Sequence, residues 1–566
     1  VPGFTRFDFD DSYVISDQDM ARRWSSFHSS ILLFHGNIFQ RVVGRLLGEN
    51  TRRYRIARFF GRPLLQLSRR MRKKTLVAPV SEHAMAEDFF PLNYRPPTNA
   101  KVGKVPVPTM PHGVECVVVR EETSSADATI SSLNEIVATS GATWLFLVDE
   151  SIPELDRIEA VATLFLAAGE DDDVVFADEF GTNSSAPMLK TAGVGNHTLL
   201  SYNCVGRPAL LRIATLRAMG AFDTRAGWAF EHDVYLRLRE RSAIFHHVAQ
   251  VCVSGRPPIA FASDHIRTDT QGVVRAAMAR RGWTGSVADG AFATSVRWQI
   301  TPPSPAPSID IIIPTRDRID LVRQCIGAIE EKTTYENFDI IILDNDSKEK
   351  ESLDFFATTK YRVVPCPGPF NYAHIVNRGV QHSSADYVVT LNNDTILVTH
   401  DWLEQMIGLA SLPDVSIVGA CLLDQTGHHE HDSIVISPYP QHLRIDSNYP
   451  HLDHFSTSIR DVAAVTGAVQ MVRREIWDSL GGMDELLRVT MNDVDICLRS
   501  QDDGKNVVYT PYVELFHHVS SSRGSLDPLV DRNRFIRRWD IFGTFRDPYF
   551  PESLLVLGES VYYRHR

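Results

Sequence analysis

Short apolar runs, each ended by a turn residue and followed by a helical repeat, mark two α/β segments in this chain. In the first, Val114–Val119, Trp144–Asp149 and Val174–Asp178 read as buried strands, and Ala128–Thr139 as the helix between the first two. Asp269–Arg281 has a helical pattern. It is followed by the Pro-rich stretch Thr301–Ser308, read as a semi-rigid spacer and a domain boundary. In the second segment, Ile309–Ile313 is a strand ending at Pro314, Leu321–Lys332 a helix, and Phe338–Leu343 a strand ending at Asp344. That is a βαβ unit, and the alternation predicts a mostly parallel sheet in both segments. Ala385–Thr390 is a further strand, and it runs abruptly into Leu391-Asn392-Asn393-Asp394-Thr395. Open α/β sheets place ligands at the carboxyl ends of their strands, and Asp394 is a hard oxygen donor suited to Mg2+ or Mn2+. By itself the segment also fits an ordinary Asn-Asn-Asp turn.

The length of 566 residues exceeds what one core holds. The divisions read from the pattern are an N-terminal region (1–112), a first α/β domain (113–256), a linker (257–307), a second α/β domain (308–525) and a C-terminal extension (526–566). With 43% hydrophobic and 23% charged residues the balance is that of a globular protein, and the net charge of −12 argues against nucleic acid as a partner. Seven scattered cysteines without a Cys-x-x-Cys pair argue against zinc ribbons and disulfide frameworks and for a reducing, cytoplasmic setting. No run is long and apolar enough to span a bilayer, no signal peptide is visible, and the chain starts at Val1 rather than Met, which leaves its natural start open.

Charge is concentrated in one place. Between Arg41 and Lys74 stand twelve basic residues against the single acid Glu49, interleaved with Val42, Leu46, Leu47, Phe59, Phe60, Leu64 and Leu65. This pattern fits an amphipathic helix lying on an anionic membrane surface, which would make the protein peripheral at the inner face. It fits equally a basic helical hairpin packed on the acidic remainder.

The two α/β segments share three stretches in the same order. Ala142–Asp149 parallels Ala385–Asn392, Leu216–Asp223 parallels Ile476–Asp484, and Glu231–Arg237 parallels Asp493–Arg499. A duplication accounts for this order.

Ile311-Ile312-Ile313-Pro314-Thr315-Arg316-Asp317-Arg318, Leu343-Asp344-Asn345-Asp346-Ser347, Phe370–Gly379 and the Asn392-Asn393-Asp394 turn together resemble a family 2 glycosyltransferase of GT-A (Rossmann-like) fold. Thr466-Gly467-Ala468, Gly481-Gly482-Met483-Asp484-Glu485, Asn492-Asp493-Val494-Asp495 and His517-His518-Val519-Ser520 extend the likeness, which covers residues 308–525. It implies a nucleotide-sugar donor (UDP-, dTDP- or GDP-linked) held by Pro314, Thr315, Arg316, Asp317, Asp344, Asn371, Asn377, Asn392 and Asn393. It implies a divalent Mn2+ or Mg2+ held by Asp394 and His517. It implies Asp493 as the general base that takes the acceptor proton during inverting transfer. Thr466, Gly467, Asp484, Glu485, His518 and Arg523 would stand near acceptor or phosphate. Asp317, Asp344 and Asp493 each also fit a turn or helix cap, and Asp495 fits an i,i+4 partner of Arg499. This chain has Asn492 and Val519 where the family commonly has acids.

In the first domain nothing like the Pro314 or Asp344 segments precedes Val114, Ser151 stands in the place of Asp394, Glu231 in that of Asp493, and Ser254 in that of the metal histidine. The resemblance therefore implies a truncated, degenerate GT-A-like domain, left to pack, to form a homo-oligomer or to bind acceptor. The implied function is sugar transfer to a bacterial surface glycan or polyprenyl-linked oligosaccharide, as in O-antigen synthesis. A bifunctional two-site enzyme and a non-catalytic glycan-binding scaffold are the alternatives.

Overall fold

The computed structural model describes residues 110–119, 125–150, 152–181, 187–256, 264–292, 294–437, 439–445, 452–518 and 529–557, with short strands at 89–91 and 560–564. The basic stretch 41–74, Ser151, the Ser254 side chain, Val519 and Arg523 lie outside the described residues. Both α/β layers fall in the compact unit formed by residues 91–563.

The first layer comprises β1 (Val114–Val119), α1 (Ala126–Thr139), β2 (Trp144–Asp149), α2 (Glu154–Ala167), β3 (Val174–Gly181), α3 (Asn196–Ser201), β4 (Ala209–Arg212), α4 (Phe230–Glu240) and β5 (Phe245–Arg256). Its strands run in the order β1-β2-β4-β3, with β5 also on β3; β1–β2 and β3–β5 are parallel, and both pairings of β4 are antiparallel. Next come α5 (Asp264–Arg280) and a hairpin of β6 (Gly285–Asp289) and β7 (Val296–Ile300).

The second layer contains β8 (Ile309–Thr315), α6 (Ile319–Lys332), β9 (Phe338–Asp344), α7 (Lys350–Thr358), β10 (Arg362–Pro365), α8 (Tyr372–Gln381), β11 (Tyr387–Leu391), β12 (Thr395–Leu397), α9 (Trp402–Ala410) and β13 (Val415–Leu423). It continues through the short strands β14 (His429–His431), β15 (Ile434–Ile436), β16 (Pro440–His442) and β17 (Arg460–Asp461) to β18 (Val469–Arg473), α10 (Asn492–Asp502), β19 (Asn506–His517) and α11 (Leu529–Trp539). The main strand order is β10-β9-β8-β11-β18-β13-β19-β12. Strands β8 and β11 are parallel neighbours and almost wholly buried, as their continuous apolar runs require.

The path β8-β11-β18-β13-β19 repeats β1-β2-β4-β3-β5 strand for strand, with the same parallel and antiparallel senses. One expectation is corrected here. Val114–Val119 itself occupies the place of Ile309–Thr315, so one strand of the nucleotide half is present; among the described residues counterparts of β9, β10 and β12 are missing.

Within the stretch read as a linker with a helix and a Pro-rich spacer, the described residues pack on both layers. Asp269 Oδ2 accepts from the Trp228 amide at 2.8 Å, and Arg297 reaches Gln405 of α9 at 3.3 Å. Trp298 is buried, donates to Ser201 Oγ at 3.0 Å and stacks on His197. One apolar core runs from Val119 and Leu133 through Trp298 to Ile313 and Leu515. The two layers are further joined by Asp461 of β17, which accepts from the His197 and Thr198 amides at 2.8 and 3.0 Å and pairs with His197 Nδ1 at 2.7 Å. Gly195 makes this approach feasible, since a Cβ there would lie 2.1 Å from Asp461 Oδ2.

Candidate active site

The parallel register places Thr315 opposite Asp344 at the carboxyl ends of β8 and β9. Asn393 Nδ2 donates to Thr315 Oγ1 at 2.9 Å, which ties the β11 turn to this edge. Asp317 and Arg318 have φ of 54° and 49°, so the chain turns sharply there. Asp317 Oδ1 accepts from the Lys348 and Glu349 amides at 2.6 and 2.8 Å, and Asp344 Oδ1 accepts from the Ser347 amide at 2.9 Å. Thus one oxygen of each carboxylate shapes the loop between β9 and α7. Pro314 lies within β8, and Arg316 is exposed.

The Gly467 peptide is the hub of the site. Its carbonyl accepts from Tyr372 Oη at 2.8 Å and Thr390 Oγ1 at 3.1 Å, and its amide donates to Asp493 Oδ2 at 2.9 Å. The Asn392 amide donates to the Ala468 carbonyl at 3.0 Å. Asp493 does not cap α10: Met491 holds that position, without a side-chain cap bond. Asp495, two residues on, is fully buried and paired with Arg499 at 2.7 Å and with Arg538 of α11 at 2.8 Å. Helix α11 therefore buttresses the helix that carries Asp493. Arg538 also reaches Asp484 at 2.9 Å.

Asn371 and Asn377 have other engagements. Asn371 caps α8 by accepting from the His374 amide at 3.1 Å, and its Nδ2 donates to the Glu485 carbonyl at 2.9 Å. Asn377 accepts from the Met483 amide at 2.9 Å and donates to the Met483 carbonyl at 2.8 Å. These amides lock the Gly481–Glu485 turn onto α8, and a direct donor contact would require them to let go. Burial alone would raise the Glu485 carboxyl, but hydrogen bonds from His374 and Asn377 hold it below its usual range.

Asp394 is buried between β11 and β12, and β12 pairs with β19 so that Thr395 faces His517. His517 Nε2 lies 3.4 Å from Asp394 Oδ1, and its Nδ1 lies 3.3 Å from Glu430 Oε1. Burial by itself would lower the His517 pKa, but hydrogen bonding and charge from both carboxylates override it and push it up to about 9. Two carboxylates around one imidazole fit a divalent cation: among the described residues the buried Glu430 Oε2 has no hydrogen bond, and Asp394 Oδ1 has only the 3.4 Å ion pair with His517, which a cation would replace. The His518 amide donates to the Asp394 carbonyl at 2.9 Å, and its Nδ1 lies 3.1 Å from Gln425 Nε2.

Glu430, His431 and His442 were not identified from the sequence. His431 Nε2 accepts from the Thr466 amide at 3.4 Å, and its Nδ1 lies 3.0 Å from His442 Nδ1. Burial, then the neighbouring His442 and His517, push His431 well below its ordinary value, so it is a neutral acceptor. The run His428-His429-Glu430-His431 was the available signal. It sits on strands three residues long, too short for periodicity to register.

The second layer, with its parallel strands ending in polar turns, is the α/β domain of a glycosyltransferase. Residues 310–480 match the family model described as glycosyl transferase family 2, and this part of the chain is a family 2 glycosyltransferase domain. Among curated relatives, the uncharacterized protein y4gI of Sinorhizobium fredii is 31% identical over 472 residues, covering 78% of this chain and 51% of its own length. The O-antigen biosynthesis protein RfbC of Myxococcus xanthus is 28% identical over 469 residues, covering 78% of this chain and 36% of its own. The chain thus spans about half or less of these relatives. Similar solved structures include GalNAc-T7 with UDP, GalNAc and Mn2+ (13% identity, TM-score 0.36, 43% of this chain and 49% of that one). The mannosyltransferase PcManGT of Pyrobaculum calidifontis with GDP-Man and Mn2+ is another (15% identity, TM-score 0.31, 39% and 60%).

Proposed function

We propose that this chain is an inverting, metal-dependent glycosyltransferase that moves a sugar from a nucleotide donor to a hydroxyl of a surface glycan or lipid-linked oligosaccharide. The observation that carries this reading is the pairing of two groups at the strand ends: the buried Asp394 carboxylate facing His517, and Asp493 held by the Gly467 amide. Asp394 and His517 would hold the cation, with Glu430 behind His517. When bound, a divalent cation supplies positive charge to the diphosphate leaving group.

The remaining steps belong to the protein's own side chains. Asp344 and Asp317 orient base and ribose through the carboxylate oxygens that the loop does not use. Asp493 receives the proton of the acceptor hydroxyl as that oxygen attacks the anomeric carbon from the face opposite the departing diphosphate. Asn371 and Asn377 act indirectly, by holding the Gly481–Glu485 turn that forms the acceptor side. The RfbC likeness supports a polysaccharide acceptor.

The bifunctional alternative is disfavoured by Arg207, whose buried guanidinium pairs with both Glu231 and Asp149 in the first layer. That layer reads as a degenerate copy with a packing role. The proposal is tested by incubating the full chain with UDP-, dTDP- and GDP-sugars, with Mn2+ or with chelator, and measuring nucleoside diphosphate release. Metal-dependent release from one donor class is expected. Release from none of them would favour the glycan-binding scaffold.

A further inference from the structure

On the β13–β14 hairpin, next to the site just described, three side chains of different chemistry converge. Cys421 Sγ lies 3.7 Å from His429 Nδ1, and the same nitrogen pairs with Asp432 Oδ1. The three donor atoms all lie within 4.8 Å of one another. Cys421 and Asp432 are completely buried, whereas the His429 side chain is 30% exposed. We propose that Cys421, His429 and Asp432 form a second cation site, of the class that takes Zn2+, separate from the Asp394–His517 pair.

The local fold explains the convergence. β13 and β14 are antiparallel, and their register shifts between Leu422 and Leu423. Such a bulge re-aims neighbouring side chains, so Cys421 and His429 meet across the ladder. Asp432 is positioned from behind: the Ile445 amide donates to its Oδ2 at 2.8 Å, and Tyr509 Oη lies 3.2 Å from its Oδ1. Tyr509 Oη also lies 3.2 Å from the Ser456 carbonyl. Ligands held this way lose little freedom on binding, and partners behind the ligands are what orient metal-binding side chains.

The donor set selects the metal. A thiolate with an imidazole favours zinc over Mg2+ or Mn2+, which prefer oxygen. Binding sends the thiol proton and the proton between His429 Nδ1 and Asp432 Oδ1 to solvent. One thiolate and one carboxylate then neutralise the divalent charge, so the buried site carries no net charge. The exposed edge of His429 provides the entry path and a fourth position for water.

Occupancy would pin β14 to β13. Glu430 and His431 follow His429 on β14, and they face His517 and Thr466. The second cation would therefore hold the edge of the transferase site in place. The inference rests on geometry alone and stands whether or not the chain transfers sugar.

The test uses the full chain, purified without chelator and kept reduced. Metal analysis is expected to find bound zinc. After exchange with Co2+, a thiolate-to-cobalt charge-transfer absorption is expected, lost in Cys421→Ser and retained in Asp394→Ala, because the latter site contains no sulfur. In unmodified protein, zinc should shield Cys421 from iodoacetamide, as read by peptide mass spectrometry, and chelator should remove the shielding; this readout needs no variant to fold. If the wild type binds no zinc, gives no charge-transfer band and alkylates Cys421 equally with and without metal, the three residues are a hydrogen-bonded triad and the proposal is overturned.

Discussion

Arg207 Nε lies 2.6 Å from Glu231 Oε1, and the same guanidinium reaches Asp149 Oδ2 at 3.1 Å. Both acids stand in the first layer where Asp493 and Asn392 stand in the second, and Arg207 is buried to 2% exposure. A fixed cation occupies that position and engages the acid that would act as base. Removing one partner of a buried pair typically costs about 3–5 kcal/mol, because the other charge is left uncompensated. Arg207→Ala should therefore lower the melting temperature markedly, as read by thermal denaturation. Glu231→Gln should leave turnover within a few-fold of wild type.

Asp493→Asn tests the base. The substitution keeps the shape of the side chain and removes its basicity, so turnover should fall by ~10²–10⁴-fold with donor affinity nearly unchanged. The comparison with Glu231→Gln must use one donor and one acceptor. Equal loss in both variants would sink the assignment of a single live site.

Asp394→Ala should abolish metal-dependent nucleotide diphosphate binding and transfer together while the fold persists. Glu430→Gln is the finer probe. Glu430 contacts His517 Nδ1, leaving Nε2 toward Asp394. Losing a carboxylate behind a metal-binding histidine costs roughly 10–100-fold in metal affinity. Mn2+ titration by calorimetry should show that weakening, and unchanged affinity would exclude Glu430 from the site.

The His197–Asp461 pair predicts a pH dependence. Burial opposes the charge on His197, but the Asp461 carboxylate prevails and raises the imidazole above its ordinary 6.5. For Asp461, burial would raise the carboxyl, yet His197 and the backbone amides hold it below its ordinary 3.8. Stability from His197 is fully present below pH 6.5 and is lost as pH rises through the raised value. Stability from Asp461 is present above pH 3.8 and is lost as pH falls through the depressed value. Melting temperature should thus decline as pH rises above 6.5 through the raised His197 value in wild type. Asp461→Asn should start lower and show a flatter alkaline slope; an identical slope would remove the pair from the pH response.

Local chemistry was legible in the chain by itself. The Ile runs of β8 and β9, the acids that end them, the Asn392–Asp394 turn and the Thr466–Ala468 segment are set by nearest neighbours, because strand burial and turn geometry depend on a few consecutive residues. Asp495 with Arg499 was equally readable from helical spacing. The tertiary structure decided what each polar group does with its hydrogen bonds. Asn371 and Asn377 are bound into a turn more than a hundred residues away, and Arg538 reaches back across 43 residues to Asp495. Glu430 meets His517 across 87 residues, and His197 meets Asp461 across 264. A buried polar side chain must find a partner, but sequence spacing says nothing about which one when the chain between them folds freely. The strands and the polar turns that end them were therefore visible in the sequence, while the partner each buried polar side chain finds was a property of the fold.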